Sequence, residues 1–124
     1  MKNPEVIMPD ALPRDPFIVQ STALEAAGIA LSVVRRVPAP LKSLADQVVR
    51  AASSVPANLA EGNGRNGRDR LHHWRIAYGS AKEVDVHLRL LLQAGAIDIT
   101  SATTALQLFD QVRAMTWRLL DPKM

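Results

Sequence analysis

Apolar residues recur along the chain at steps of three and four positions, the spacing that places side chains on one face of an α-helix. The pattern occurs in four segments, separated by the prolines and glycines at which helices end. No segment sustains the alternation at every second residue that is typical of a strand. We therefore predict an all-α, antiparallel, up-down-up-down four-helix bundle over residues 17–121. The apolar positions are Ala23, Leu24, Ala26, Ala27, Ala30, Leu31, Val33, Val34 and Val37; Leu41, Leu44, Ala45, Val48, Ala52, Val55 and Leu59; Ala77, Ala81, Val84, Leu88 and Leu91; and Ala105, Leu108, Val112, Met115 and Leu119.

The first predicted helix carries two adjacent apolar stripes, and Glu25 is the only charged residue between Asp15 and Arg35. A helix that is apolar over so much of its circumference needs cover on more than one side. Residues 1–16 precede it and contain four of the eight prolines, which a helix interior does not accommodate. We predict that residues 1–16 form an extended N-terminal arm and that the rest is a single bundle domain.

The composition is that of a folded protein of moderate size. Of the 124 residues, 48% are apolar and 22% are charged, and cysteine is absent, which excludes disulfides and thiolate metal sites. The apolar runs are shorter than the roughly 20 residues that span a bilayer, and no signal-peptide pattern occurs. We therefore expect a cytoplasmic protein with no membrane partner. The net charge of +3 is a mild bias towards anionic partners.

Polar residues form a stripe on the second helix that is turned away from its apolar stripe. A similar mixed stripe follows the third helix beside Gly79. We expect both faces to be covered, by the first helix or by another subunit, with their polar groups paired to one another or to carbonyls freed near Pro56. Pro56 should kink the second helix without breaking it. The predicted structural polar network or interface consists of Arg50, Ser54, Asn58, Glu61, Ser80 and Glu83.

Two blocks of these helices resemble a known family. QVVRAASSVPANLAEGNGR (residues 47–65) is similar to the pattern Q-x-x-R-A-x-x-S-I-P-A-N-I-A-E-G-x-G-R, and RIAYGSAKEVDVHL (residues 75–88) is similar to I-A-x-G-S-x-x-E. This combination resembles the four-helix-bundle proteins encoded in intervening sequences of bacterial 23S ribosomal RNA genes. The chain departs from the pattern at Asn66-Gly67, where the family usually has Ser or Thr soon after the arginine.

The resemblance implies more than a fold. The family is known for closed homo-oligomers, notably pentameric rings, and has no established enzymatic activity. A related group of bundles, the accessory proteins of diversity-generating retroelements, engages RNA and protein through a basic surface. We therefore expect a homo-oligomer, most simply a pentamer. A further partner would be RNA or another nucleic acid, or alternatively another protein.

The sequence gives little support to an enzyme. A carboxylate-bridged di-metal bundle needs Glu-x-x-His on two helices, whereas this chain offers Asp69-x-x-His72 and a spacing of four between Glu83 and His87. The glycines of residues 62–67 lack the preceding strand and the Gly-Lys-Ser/Thr of a phosphate loop, and helix termination explains them. We predict no catalytic residue, no metal and no cofactor. If the protein is an enzyme after all, the alternative hypothesis is a metal-dependent hydrolase.

Arginines cluster at the entry to the third helix, in GNGRNGRDRLHHWR (residues 62–75). The planar fork of arginine suits phosphate, and Trp74 or a histidine could stack on an unpaired base. The alternative is a solvated turn in which the arginines cap backbone carbonyls. In that case the protein would be a structural scaffold or adaptor that binds another protein and has no nucleic-acid role. The predicted nucleic-acid-binding residues are Arg65, Arg68, Arg70 and Arg75.

Overall fold

The computed structural model describes residues 14–122, which contain four α-helices, a short 3-10 turn and no strand. The helices pack against one another, so the predicted all-α, four-helix fold is confirmed. An arm was predicted for residues 1–16. Residues 1–13 of it lie outside the described residues, and Pro16 is the first residue of the first helix. The elements are α1 (Pro16–Val33), the 3-10 turn (Ala39–Leu41), α2 (Lys42–Asn63), α3 (Gly67–Gln93) and α4 (Ile99–Leu120).

Side-chain caps and a glycine set several helix ends. The Asp15 carboxylate accepts a hydrogen bond from the Phe17 N–H at 2.9 Å, and Asp98 accepts one from the Ser101 N–H at 2.9 Å. Both α1 and α4 therefore begin at a capping aspartate. α3 ends before Gly95, whose φ of 68° suits a residue without a side chain. The N–H groups of Gly95 and of the next residue bond to carbonyls in the last turn of α3, which closes the helix.

The core lies between the four helices. α2 packs against α1 and α3, α4 packs against the same two helices from the other side, and α2 and α3 make the most extensive contact. The largest fully buried side chains include Leu59, Leu88 and Leu91 from the predicted stripes of α2 and α3. On α4 the largest is Phe109, which was not among the predicted positions, whereas the predicted Leu108 is half-buried. Burying each such side chain contributes about 1.5–3 kcal/mol, and this drives the helices together.

On α1 the alanines of both apolar stripes are buried and the leucines are exposed. Ala23, Ala26 and Ala30 are fully buried, whereas Leu24 and Leu31 are 58% and 39% exposed. The two exposed leucines line an open groove between α1 and α2. α1 has 18 residues and a mean hydropathy of 1.3, a length and composition that would suit a membrane span and that a core helix of a bundle also shows.

α2 runs unbroken through Pro56, as predicted, and the predicted kink stays a prediction. Pro56 is buried and lines the groove towards α1. One turn of α2 before it, the hydroxyl of Ser53 donates a hydrogen bond to the Val49 carbonyl. The proline therefore serves as apolar packing surface inside a continuous helix.

Two sets of contacts join the ends of different helices. The side-chain amide of Asn63, the last residue of α2, donates to the Pro16 carbonyl at 3.4 Å and to Gln20 Oε1 at 2.9 Å. Arg14 Nη1 donates to the Pro122 carbonyl at 2.9 Å. The start of α1 therefore lies beside the end of α2 and the segment that follows α4.

Candidate functional site

A chain of hydrogen bonds, here called the Asn58 network, crosses from α2 to α3. The amide of Asn58 donates to the carbonyl and the hydroxyl of Ser54 at 2.9 and 3.0 Å. The hydroxyl of Ser80 donates to that of Ser54 at 2.8 Å, and His73 Nδ1 lies 3.2 Å from Asn58 Oδ1. Because that oxygen can only accept, His73 is the donor in this contact. Ser54, Asn58 and Ser80 were predicted members, and the structure brings them together.

His73 was missing from the predicted network. It lies seven residues, or two helical turns, before Ser80 and therefore on the same face of α3. That spacing is the signal available in the sequence. In the structure the Asn58 side-chain N–H groups donate to Ser54, which leaves the Asn58 oxygen to accept a hydrogen bond from His73. The sequence alone does not show this division.

The other three predicted members of the network lie apart from it. Arg50 is exposed and donates to Gln47 Oε1. Glu61 pairs with Arg65 at 2.9 Å. Glu83 is exposed and makes no ion pair within residues 14–122. Asn58 and Glu61, which share a stripe in the sequence, therefore have different partners.

Arg65 joins two carboxylates at the junction of α2 and α3. Its guanidinium lies 2.9 Å from Glu61 and 2.7 Å from Asp69. The hydrogen bond from Arg65 lowers the pKa of Asp69, and the bonds to Asp69 and then Glu61 raise the pKa of Arg65. All three side chains are about half exposed, so water screens these pairs and each stabilises the fold only modestly. The charge of Arg65 is nevertheless neutralised within the protein.

Arg70 caps the end of α2. Its guanidinium donates to the carbonyls of Gly62 at 3.1 Å and Asn63 at 3.2 Å, which lie in the last turn, where a helix leaves carbonyls without a donor. The guanidinium also lies 5.2 Å from the centroid of the Trp74 ring, within cation–π range. Trp74 packs on Gly62, where a Cβ would lie 2.5 Å from the ring Cδ1.

Arg68 and Arg75 are exposed and make no ion pair in the part of the chain that the structure describes. Two of the four predicted nucleic-acid-binding arginines thus have free guanidinium groups, while Arg65 and Arg70 are held by the protein. Exposed His72 lies in the same segment. Trp74 is 5% exposed, so its ring is packed in the core and is not open to stack on a base.

Asp85 is a buried charge that the sequence analysis did not single out. It bonds Arg89 one turn later on α3, and its other oxygen lies 3.6 Å from Arg113 of α4. Arg113 also pairs with Asp110. The spacing of four between Asp85 and Arg89 is a recognisable helical ion pair. The cluster ties α3 to α4.

The three histidines have different surroundings. His72 is exposed, His73 belongs to the Asn58 network and His87 is half-buried on α3. Between residues 14 and 122, no group of three histidine or carboxylate side chains is arranged to hold a metal ion.

Two exposed apolar surfaces accompany the polar groups. The α3 outer face is a row at steps of three and four in which Ile76, Val86 and Leu90 are 37%, 55% and 47% exposed, with Gly79 and Glu83 between them. The α1–α2 groove has a volume of about 520 Å³ and no charged lining residue. Its apolar lining includes Leu24, Gly28, Leu31, Pro56, Ala57 and Ala60.

The helices that carry these surfaces match a known family. The model of the family described as "23S rRNA-intervening sequence protein" matches residues 18–118. The chain belongs to this family. Membership confirms the resemblance that the sequence showed in its two central blocks, and it extends the match to the outer helices.

The fold of this 23S rRNA-intervening sequence family member is also found in a solved structure. The crystal structure of a protein of unknown function from the S23 ribosomal protein family of Bacteroides thetaiotaomicron matches with a TM-score of 0.76 and 19% identity. The match covers 85% of this chain and 96% of that one, and at this identity it shows the fold alone. No curated protein matches the sequence.

The family match separates two parts of the chain. The Asn58 network, the arginine segment, the α3 outer face and the α1–α2 groove all lie within residues 18–118. Residues 1–17, which include the proline-rich segment, lie outside the matched range.

Proposed function

We propose that this family member is a non-enzymatic cytoplasmic protein that assembles with copies of itself, through the α3 outer face, into a closed ring of five. The observation that carries the proposal is the row of exposed apolar side chains Ile76, Val86 and Leu90. Apolar side chains that stand exposed in one row mark an interaction surface, whereas scattered ones do not.

Covering the α3 outer face is energetically favourable. Full burial of an Ile, Val or Leu side chain contributes about 1.5–3 kcal/mol, so a side chain that is roughly half exposed retains about 1 kcal/mol to be gained. A Cβ added at Gly79 would meet nothing within 4 Å, which leaves room for the close approach of another helix. Glu83, unpaired within residues 14–122, offers a charge that an arginine of a neighbouring copy can match.

The resemblance described above favours a copy of the chain as the partner, because it implies closed homo-oligomers. A ring repeats one heterologous contact, in which the α3 outer face of each copy packs against a second, different surface of the next copy. We propose that each copy is an antiparallel, up-down-up-down bundle. Asn63 at the end of α2 bonds Gln20 near the start of α1, and Arg14 before α1 bonds Pro122 after α4, as an antiparallel order requires.

Size-exclusion chromatography with light scattering, at micromolar concentration, tests the proposal with two matched glycine variants. Gly79→Glu places a charge on the α3 outer face, and Gly28→Glu places the same charge in the α1–α2 groove. A Cβ added at either glycine meets no atom within 4 Å, and both positions are exposed, so both variants should keep wild-type helical circular dichroism. We expect Gly79→Glu to be monomeric and Gly28→Glu to remain assembled. A monomeric wild type would refute the assembly, and an assembled Gly79→Glu would refute the surface.

RNA binding is the second candidate function, and the free guanidinium groups of Arg68 and Arg75 favour it. Each can donate two parallel hydrogen bonds to one phosphate. One copy offers two such contacts, which bind weakly. A ring repeats them, so that contacts made by several copies add through effective concentration.

Fluorescence anisotropy with single-stranded and duplex RNA across a salt series tests this second function. Arg68→Ala/Arg75→Ala should weaken binding and reduce its dependence on salt, because fewer counterions are released. Arg35→Ala/Arg36→Ala removes the same charge from two exposed arginines beyond the end of α1 and should bind like the wild type. If the wild type does not bind at low salt, the protein-scaffold alternative replaces the RNA-binding one. If both double variants weaken binding equally, Arg68 and Arg75 are not the binding site.

A further inference from the structure

We infer that the pair of rings formed by Tyr78 and Trp117 is a platform on which an unpaired RNA base stacks, while Arg75 and Lys82 contact the phosphates on its two sides. The pair joins α3 to α4, away from the junction of α2 and α3 to which the sequence assigned the stacking ring. The inference rests on the second candidate function, RNA binding, and names the form of RNA that the protein takes. It does not depend on the proposed assembly.

Trp117 is an aromatic side chain that the core does not enclose. It is 40% exposed, whereas Trp74, which the sequence favoured for stacking, is 5% exposed. The ring centroids of Trp117 and Tyr78 lie 5.7 Å apart, with an angle of 44° between the ring planes. Tyr78 is half-buried, so it supports the Trp117 ring from one side while the rest of that ring stays open to water. A supported, exposed ring of this kind is what binds bases in single-strand sites.

Two cations lie on the same side of α3 as Tyr78. Arg75 is three residues before it and Lys82 is four residues after it, spacings at which helical side chains are neighbours. Lys82 Nζ lies 5.8 Å from the centroid of the Tyr78 ring, within cation–π range. Both cations are exposed, and neither makes an ion pair within residues 14–122. About 10.5 Å of helix separates them, so a base on the rings has a cation on each side for its phosphates.

The carboxylates that flank the platform are already engaged. Asp85 lies two turns along α3 from the aromatic pair, and its two oxygens contact Arg89 and Arg113. Asp110 lies two turns along α4 from the pair and also bonds Arg113. Asp121, one turn beyond the pair, is half-buried and is not free. The two unpaired cations therefore make the platform positive, and a positive surface around an exposed ring matches RNA, which offers phosphates and flat bases together.

The platform is open to an unpaired base and closed to a paired one. In a duplex each base is stacked between its neighbours, and RNA duplexes are contacted mostly through their phosphates and sugars. A single strand can turn a base onto the Trp117 ring, and every base has a π-face that suits this contact. We therefore expect single-stranded RNA to bind more tightly than duplex RNA, with little dependence on sequence.

Fluorescence anisotropy on the full chain at low salt tests the inference, with labelled oligouridylate as the single strand and a duplex RNA of equal length. Trp117→Ala should lower the affinity for oligouridylate about fivefold or more and leave duplex binding unchanged, and Trp117→Phe should restore part of the loss. Lys82→Ala should weaken binding and reduce the salt slope by about 0.7, the value for one phosphate of a single strand. Phe17→Ala is the matched control. It removes an aromatic side chain that is 72% exposed beside Asp15, and it should bind like the wild type.

Tryptophan emission supplies a measurement that a purely structural role of the ring would not change. The chain has two tryptophans, and only Trp117 is exposed. We expect unlabelled oligouridylate to quench the emission of the wild type, because a base stacks on the Trp117 ring. In Trp117→Phe the remaining emission comes from buried Trp74 and should not change when the same RNA is added.

Each outcome decides the inference. Binding of oligouridylate without quenching, or wild-type affinity in Trp117→Ala, overturns the platform and leaves RNA binding standing. An equal loss of affinity in Phe17→Ala also overturns it. No binding of either RNA overturns both the platform and the RNA-binding function. If light scattering shows that Trp117→Ala no longer assembles, the ring belongs to the contact between copies and the inference is wrong. The quenching of the wild type needs no variant, so it decides even where Trp117→Ala does not fold.

Discussion

Removing the side chain of Asn58 tests whether the Asn58 network holds α2 on α3. The Asn58 amide makes two hydrogen bonds to Ser54, and its oxygen accepts one from His73. Each such bond contributes about 0.5–1.5 kcal/mol net, and a partner left unpaired adds to the cost. Because Asn58 is half-buried, water replaces part of what is lost. We expect Asn58→Ala to lower the free energy of unfolding by about 1–3 kcal/mol.

Double-mutant cycles then identify the partners of Asn58. Asn58 and Ser80 both donate to the Ser54 hydroxyl, so Asn58→Ala and Ser80→Ala should couple by about 0.5 kcal/mol or more. Glu61 pairs instead with Arg65, so Asn58→Ala and Glu61→Ala should add to within about 0.5 kcal/mol. Urea unfolding followed by circular dichroism, at one fixed protein concentration, measures all the variants. A coupling of Asn58 to Glu61 as large as its coupling to Ser80 would refute this partner assignment.

Two further predictions concern the junction of α2 and α3. Gly62→Ala gains about 0.5–1 kcal/mol of helix propensity but drives a methyl group into Trp74, which costs about 1–3 kcal/mol. Thermal unfolding should therefore show a lower Tm for Gly62→Ala and a higher Tm for Gly28→Ala, which meets no atom; equal shifts would contradict the packing. The pKa of Asp69 is lowered by the hydrogen bond from Arg65, so this carboxylate stabilises the fold above its ordinary pKa of 3.8 and ceases to do so as the pH falls through the lowered value. Wild type and Asp69→Asn should thus differ in stability at pH 7 and converge in strong acid, and a constant difference across that range would count against the ion pair.

The core was predictable from the sequence because helical periodicity identifies which side of a helix is apolar. The stripes of α2 and α3 are buried where expected, as Leu59 and Leu88 show, whereas on α4 Phe109 fills the core position and the predicted Leu108 is only half-buried. For α1 the periodicity gave two stripes that both need cover, and within one copy of the chain the alanines of both stripes are covered but the leucines are not. Leu24 and Leu31 remain exposed because the two helices that flank α1 cover its alanine side.

The candidate site was predictable in its residues and less so in their partners. Glu61, Arg65 and Asp69 lie at successive steps of four, a spacing from which the paired state of Arg65 could have been read. The role of Arg70 could not be predicted in this way, because its hydrogen bond to the Gly62 carbonyl depends on how the chain turns between α2 and α3. Counting positive charges therefore overestimated the number of arginines that are free to contact a phosphate.

Native mass spectrometry of the unmodified wild-type protein measures directly whether the chain assembles. The chain has a mass of 13.5 kDa. A closed ring of five predicts one dominant species at five times that mass at micromolar concentration, and predicts that Gly79→Glu yields the single-chain mass under the same conditions. A wild-type spectrum dominated by the single-chain mass would contradict the proposed assembly.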